Sequence, residues 1–362
     1  MKILFVTDYF FPHIGGVEKL FESLTSSLAE KGNHIVYLTW RYDKKLPAKE
    51  IYKGVEVIRV NAPSRLFFPF YALIKIIKQA RDADLIHTST YSSAIGVWIA
   101  SIFIRSKTIV TVHEVWGKLW KDLPFLSKAE KLLFRLLEQS MLWLKFSKYV
   151  AVSNSTQKML QANGVDEKRI VRIYNGIPYD LPQWSVPEMP FTFTFFGRAG
   201  VSKGLNLLVE AAKIIQLENE NIHFKLILSP QDKRVFRWVE NEINGSSLKQ
   251  FTTIYSNLPN DLLLSELLMS HCVIIPSYCE GFGFSAAEAS AMGIPVISSG
   301  RGSLPEVVSG AVIEMNELSV EALVIAMNRA ICEDFDQVPL KIFNISDFVE
   351  QHLALYHEVL AV

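Results

Sequence analysis

The stretch that most constrains this chain runs from Cys272 to Ile297. Cys272–Ile275 is a short, apolar, β-prone run. Pro276-Ser-Tyr-Cys-Glu280 then leads to Gly281 and Gly283, which permit a tight turn and close backbone approach to a ligand. The pattern predicts a helix from Phe284 to Met292, stopped at Gly293 with Pro295 just beyond. Val296-Ile297 opens the next strand. Strand, glycine turn, helix and strand in that order belong to a doubly wound α/β sheet, whose ligands bind beyond the carboxyl ends of its strands. Glu280 then ends a strand, Glu288 lies in the following helix, and the helix's first N–H groups face the same crevice. Such a place suits a ligand with hydroxyls and phosphates, because carboxylates accept from hydroxyls while amides hold an anion. A helix-start charge plus a solvated helix face would give the same E-x7-E spacing, so the pair needs support from elsewhere in the chain.

The amino terminus repeats the order. Lys2–Thr7 reads as a buried strand, Asp8 to Gly16 as a loop, Val17 to Glu30 as a helix ending at Gly32, and His34–Trp40 as the next strand. Gly15-Gly16 resembles a nucleotide-binding loop but is not G-x-G-x-x-G. The second strand also ends in Leu38-Thr39-Trp40 without the acid that would hold a dinucleotide's ribose, which disfavours a dehydrogenase. Further strands are expected at Val55–Val60, Leu85–Thr88, Thr108–His113, Tyr149–Ser153 and Ile170–Tyr174. Pro182, Pro187 and Pro190 mark a linker over Leu181–Pro190. A second α/β unit restarts at Phe191–Gly197 and continues to a last strand at Ala311–Glu314 and a helix from Val320. The tail Ser346–Leu360 reads as an amphipathic helix with Ser346 as its N-cap. Two Rossmann-like domains facing across a cleft are therefore expected, at residues 1–181 and 182–345, with helix 346–360 packing back towards the first.

Length and composition agree, since 362 residues can bury two cores. Lys+Arg and Asp+Glu balance at 37 each, which argues against a nucleic-acid partner captured by overall charge. Cys272, Cys279 and Cys332 form no CxxC pair, which points to a reducing, cytoplasmic setting and away from structural zinc. The start Met-Lys-Ile-Leu-Phe-Val-Thr-Asp is charged too soon for a signal peptide. No uncharged apolar run reaches the roughly 18 residues that span a bilayer.

Other stretches return to the anion theme. Phe195-Phe196-Gly197-Arg198-Ala-Gly-Val-Ser-Lys203-Gly204 lies at a strand end before a helix. Arg198 as a fork and Lys203 as a point charge can hold a diphosphate, or can be two solvated loop cations. His113, ending Val110-Thr-Val, is either a structural histidine or a polar contact to substrate. Asn175-Gly176 and Ser298-Ser299-Gly300-Arg-Gly302-Ser-Leu-Pro305-Glu306 are turn chemistry near strand ends.

Taken together, these elements resemble the retaining GT-B glycosyltransferases of family 4. The resemblance rests on Gly15-Gly16-Val-Glu18, His113, Ala151-Val-Ser-Asn, Tyr174-Asn-Gly-Ile and Gly197-Arg198 with Lys203-Gly204. It continues through Glu280-Gly-Phe-Gly-Phe with Glu288, Gly293-Ile-Pro-Val-Ile and Gly302-Ser-Leu-Pro-Glu306, in family order over nearly the whole chain. It implies transfer of a sugar from a nucleotide-diphosphate donor with retention, by front-side attack that needs no dedicated base. On that basis Arg198 and Lys203 hold the diphosphate, and Glu288 holds the ribose hydroxyls. Glu280 with the backbone of Gly281, Phe282, Gly283 and Phe284 holds the sugar and phosphate. Gly15, Gly16 and Gly197 line the nucleotide path, and His113 contacts the sugar near the reacting centre. Glu114 stands where the family commonly has aspartate, and the segment after Glu306 is shorter than usual. Asp82-Ala-Asp84 and Asp334-Phe-Asp336 match the D-x-D spacing of metal-dependent transfer but lie away from the expected cleft, so neither a metal nor a cofactor is expected.

Two segments mix aromatics with cations. Ser64–Arg81 carries Arg65, Lys75, Lys78 and Arg81 among aromatic and aliphatic residues, and Trp116–Lys148 carries three tryptophans among seven Lys or Arg. Each is either an ordinary core face with a cationic outer side or a surface for an anionic membrane. The second option would bring a lipid-linked or cell-surface glycan precursor to a peripheral enzyme on the inner membrane face. A nucleotide-sugar 2-epimerase of the same fold and a non-catalytic sugar-nucleotide binder are the alternatives. The first would need added acid/base groups, and the second would lose no turnover in Glu280→Ala.

Overall fold

The expected apolar runs form strands because both of their faces are covered: Ile3 to Val6 are all essentially inaccessible, as parallel sheets require. In the computed structural model residues 1–13, 15–90, 92–219 and 221–361 are described, and the chain divides into two units. The first comprises Met1–Gly117, Phe134–Pro178 and Phe343–Val362, the second Lys118–Leu133 and Tyr179–Ile342.

The first unit is built from β1 (Lys2–Thr7), α1 (Gly16–Glu30), β2 (His34–Trp40), β3 (Lys49–Tyr52), β4 (Val55–Val60), α2 (Phe68–Ala80), β5 (Leu85–Ser89) and α3 (Ser92–Ser101). It continues with β6 (Lys107–Val112), the latter part of α4 (Lys128–Leu142), β7 (Lys148–Ala151), α5 (Asn154–Ala162) and β8 (Ile170–Arg172). Its strand order is β3-β4-β2-β1-β5-β6-β7-β8, parallel except where β3 pairs antiparallel with β4. Order reverses between β1 and β5, and the Asp8 carboxylate after β1 accepts the Ser93 N–H at 2.9 Å there. Phe68, Ala72, Ile76 and Ala80 of α2 join Ala94 and Val97 of α3 in one core with Leu4, Val6 and Val110.

The second unit starts at β9 (Phe191–Arg198). It continues through α6 (Leu205–Glu218), β10 (Ile222–Ser229), α7 (Lys233–Asn244), β11 (Thr252–Ser256), α8 (Asn260–Leu268), β12 (Cys272–Ile275) and α9 (Phe284–Met292). β13 (Val296–Ser298), α10 (Leu304–Val307), β14 (Gly310–Glu314), α11 (Val320–Ile331) and β15 (Asp336–Val338) complete it. The sheet order is β11-β10-β9-β12-β13-β14-β15, with order reversing between β9 and β12. α12 (Ile345–Ala361) then returns to the first unit, where Lys31 of α1 meets Glu350 at 2.7 Å. Tyr356 bonds to His87 Nδ1 at 2.6 Å, and His87 Nε2 meets Thr111 Oγ1 at 2.8 Å. No helix among the described residues is long and apolar enough to cross a membrane.

Three local expectations change. Ser346 is inside α12 rather than capping it, since the helix begins at Ile345. Ala311–Glu314 is not the last strand, because β15 adds an antiparallel edge of mostly polar residues. β3 is a second antiparallel edge that the sequence did not announce. Both strands are short and half-exposed, so hydrophobic alternation hardly marks them.

Candidate functional site

The candidate site forms at the strand-order reversal of the second unit. β9 ends in Gly197-Arg198 and its neighbour β12 leads to Glu280, which is how residues far apart in sequence become neighbours. Glu280 is 7% exposed. Lys203 Nζ donates to its Oε1 at 2.7 Å and its Oε2 at 2.8 Å, and Ser277 Oγ donates to Oε1 at 2.7 Å. The carboxylate is therefore gripped before any ligand arrives, and its neutralising cation belongs to a different loop. The Tyr278 N–H donates to the Ser202 carbonyl at 2.7 Å, and Asn206 Nδ2 donates to the Tyr278 hydroxyl at 3.0 Å. These bonds tie the loop after β12 to the loop before α6.

The segment first read as simple turn chemistry braces the backbone of Glu280. Ser303 N–H and Oγ donate to the Glu280 carbonyl at 3.0 and 3.1 Å. Gly302, at φ +65°, passes so close that a Cβ there would lie 2.3 Å from that carbonyl oxygen. Only glycine meets both conditions. Gly283, at φ +85°, opens α9, so the chain turns from strand end to helix over Gly281 to Gly283. Phe282 is buried and packs edge-on against half-buried Phe284, 5.2 Å between ring centroids. Gly197 lies against Ser285, whose hydroxyl donates to the Phe196 carbonyl at 2.8 Å. Arg198 is exposed and donates to Gln231 at 3.3 Å, so it is not part of the Lys203–Glu280 cluster. Glu288, in α9 and 9% exposed, accepts from the Tyr179 hydroxyl. Burial, then the Glu288 charge, drives the Tyr179 phenol upward and keeps it a donor.

In the first unit, Gly15 precedes α1 in extended backbone and Gly16 is the first helical residue. A Cβ on Gly15 would meet the Glu18 carboxylate, which itself faces His13 at 3.2 Å. His13 stacks on Tyr9 at 4.0 Å, with Trp40 and Tyr42 around Tyr9 at 5.6 and 5.9 Å. Asp8 faces Arg65 Nε at 3.4 Å, and burial raises its carboxyl against the pull of that cation. His113 follows the end of β6 and meets Phe21 edge-on at 6.1 Å. The neighbouring Glu114 carboxylate accepts the Trp116 indole N–H at 3.0 Å. Glu138 of α4 is buried and accepts the Trp116 and Gly117 backbone N–H groups at 2.8 and 2.6 Å.

Both D-x-D matches have basic neighbours. Lys2 donates its backbone N–H to Asp84 at 2.8 Å and its ammonium approaches Asp82 at 4.0 Å. Arg329 binds Asp334 at 2.6 Å and Asp336 at 3.5 Å.

Residues 14–181 match the family model Glycosyltransferase Family 4, and residues 179–336 match Glycosyl transferases group 1. The chain belongs to the family 4 glycosyltransferases. The GPI3 component of phosphatidylinositol N-acetylglucosaminyltransferase from Saccharomyces cerevisiae is 21% identical over 351 residues, covering 91% of this chain and 75% of its own. A glycosyltransferase of Methanocaldococcus jannaschii is 26% identical over 321 residues, covering 85% and 81%. Among solved structures, sucrose-phosphate synthase from Thermosynechococcus elongatus superposes with a TM-score of 0.84 at 20% identity, covering 99% of both chains. The Anabaena protein HepE in complex with UDP and glucose gives 0.74 at 17% identity, covering 99% of this chain and 100% of its own. These likenesses carry the GT-B fold.

In this family 4 glycosyltransferase the structure gathers Glu280, Lys203, Gly197 and the Gly281–Phe284 turn, all singled out in the sequence, at the strand ends of one unit and in the loops that follow them, with Glu288 inside α9 of the same unit. Sequence reasoning missed Tyr179 and Ser277 as partners of the two glutamates, and Gly302-Ser303 as the brace. Ser277 stands beside Pro276, three residues before Glu280, where the sequence itself places it near the carboxylate. Tyr179 carries no local signal. The segment Trp116–Lys148 is divided between the units, and within the second its Glu130 pairs with Arg234 at 2.7 Å while Phe125 packs on Trp238 at 5.1 Å.

Proposed function

We propose that the chain transfers a hexosyl group from a nucleotide-diphosphate sugar to the hydroxyl of a lipid-linked acceptor, with retention and without a metal. The observation that carries this reading is the Lys203–Glu280–Ser277 cluster at the strand-order reversal of the second unit. An ammonium has three N–H groups. Two of those on Lys203 go to Glu280, leaving one for a phosphate oxygen. Glu280 Oε2 accepts only from Lys203 among the described residues and keeps capacity for a sugar hydroxyl. Exposed Arg198 adds a guanidinium fork at the carboxyl end of β9, so positive charge is available as the leaving diphosphate develops its own. Transfer without a metal is supported by the two D-x-D motifs, whose carboxylates already meet Lys2 and Arg329. A lipid acceptor is supported by the yeast relative, a component of phosphatidylinositol N-acetylglucosaminyltransferase, and a nucleotide-sugar donor by the Anabaena neighbour holding UDP and glucose. We assign the acceptor hydroxyl to the strand-end loops of the first unit, where Asp8, His113 and Glu114 lie.

The test is slow hydrolysis of a nucleotide-sugar panel, followed as released diphosphate. One donor should turn over, with the released sugar first appearing in the donor's anomeric form. Arg198→Ala should lower kcat about 100-fold, the scale of one lost donor to developing charge. Release from no donor, or full turnover in Glu280→Ala, would end the reading.

A further inference from the structure

α2 is apolar on two faces, and only one is used. Phe68, Ala72, Ile76 and Ala80 are buried in the sheet core. On the opposite side Phe67, Phe70, Tyr71 and Ile74 follow the i, i+3, i+4, i+7 spacing of a single helical stripe. They are 54%, 59%, 57% and 81% exposed. The same stripe continues into Lys78 and Arg81, with Lys75 beside it, so its first turns are greasy and its last turns cationic. No acid occurs between Arg65 and Arg81, and the first ones after it, Asp82 and Asp84, are next to Lys2. The turn after α3 extends the patch. Ser106 Oγ donates to the carbonyls of Ala80 and Ala83 at 2.8 and 3.0 Å, which fixes that turn beside the cationic end of α2. Ile102 and Phe103 in it are 64% and 68% exposed, and Arg105 follows.

We propose that this face of α2, with the turn after α3, docks on an anionic lipid surface. A contiguous exposed apolar patch needs a cover, and cations without acids select one of negative charge. Aromatic and aliphatic side chains beside lysines on one helix match a bilayer's acyl boundary and anionic headgroups. The greasy end adjoins the strand-end loop of β1, because Arg65, two residues before Phe67, meets Asp8 at 3.4 Å. Docking would hold that loop at headgroup depth, where the headgroup of a lipid acceptor lies. Only this last consequence rests on the proposed transfer reaction; the binding does not.

The experiment is co-sedimentation of the full chain with vesicles of phosphatidylcholine alone or mixed with phosphatidylglycerol. Binding is expected to the mixed vesicles only and to weaken as salt rises. Each cation near the surface strengthens binding about five-fold, so Lys75→Gln with Lys78→Gln should weaken it about 25-fold. Phe70→Ser with Ile74→Ser should abolish it with all cations in place. These side chains are exposed, so both variants should keep the parent's melting temperature and its hydrolysis of free donor. The proposal is overturned by absence of binding to mixed vesicles at low salt, or by binding that neither pair weakens. A self-associating parent that Phe70→Ser with Ile74→Ser turns monomeric would also overturn it, by assigning the face to a second copy. Vesicle binding without donor hydrolysis would instead sink the transfer reading and leave this one standing.

Discussion

Replacing Lys203 by methionine tests the proposed donor site at its centre. The substitution keeps an unbranched side chain one atom shorter and removes the charge that neutralises Glu280. Glu280 is 7% exposed and would keep only the Ser277 hydroxyl, at 2.7 Å, from its present side-chain donors. Removing one partner of a buried ion pair costs about 3–5 kcal/mol, because the other charge stays buried and uncompensated. The Lys203 side chain is 17% exposed, so water softens the loss and the lower end, about 3 kcal/mol, applies. For a unit of this size that is roughly 6–12 °C in melting temperature. Adding Glu280→Gln should give back about half or more, since neither charge then remains. The assay is a thermal scan of the two single variants and the double variant, with and without nucleoside diphosphate. Turnover should stay lost in all three, and the shift that diphosphate gives the parent should shrink wherever Lys203 is absent. A double variant destabilised by the plain sum of the singles would refute the reasoning, because the two groups would then not be coupled.

The loop brace and the tail helix give two further expectations. Gly302→Ala must place a Cβ 2.3 Å from the Glu280 carbonyl oxygen at φ +65°. It should cost more than the roughly 1–2 kcal/mol of left-handed backbone alone and abolish donor hydrolysis; a variant with parental melting and turnover would deny the brace. His352 of α12 is fully buried, its Nδ1–H donates to the Phe348 carbonyl at 2.8 Å, and its Nε2 meets no hydrogen-bond partner among the described residues. Burial accordingly holds this imidazole down to about 4, against 6.5 ordinarily. Between those values the unfolded chain binds a proton that the folded chain refuses, so stability is complete above about pH 7 and is lost as pH falls. The loss is about 2 kcal/mol by pH 5. His352→Leu should flatten melting temperature against pH between 7 and 5, and an unchanged slope would contradict the assignment.

Much of this protein is written locally. Lys2–Thr7 and Phe191–Gly197 are apolar runs too short and too β-prone for helices, and each is followed by a glycine loop and an amphipathic helix. That succession specifies a doubly wound sheet whatever the distant chain does. Gly283 and Gly293, both left-handed, set the limits of α9 through backbone conformations that few other residues adopt. Edge strands escaped because β3 and β15 are held by hydrogen bonds to one neighbour, and such pairing leaves little trace in side-chain type. The N-cap misassigned to Ser346 shows the limit of a one-residue signal where the residue preceding Ile345 in the chain, Asn344, is held by a bridge to Ile177.

What the sequence determined by itself was the alternation of elements, the location of the glycine turns and the residue types able to hold hydroxyls and phosphates. The tertiary structure alone decided their pairing. Lys203 reaches Glu280 rather than Arg198's neighbourhood because β9 and β12 lie side by side, and strand order is a property of the packed sheet. The same holds for Gly302 under the Glu280 carbonyl and for Tyr179 on Glu288. It also holds for the outer stripe of α2, whose exposure follows from which of two apolar faces the sheet could bury. Contacts of this kind form only after long loops close, so their energy depends on the assembled fold and not on any stretch of chain taken alone.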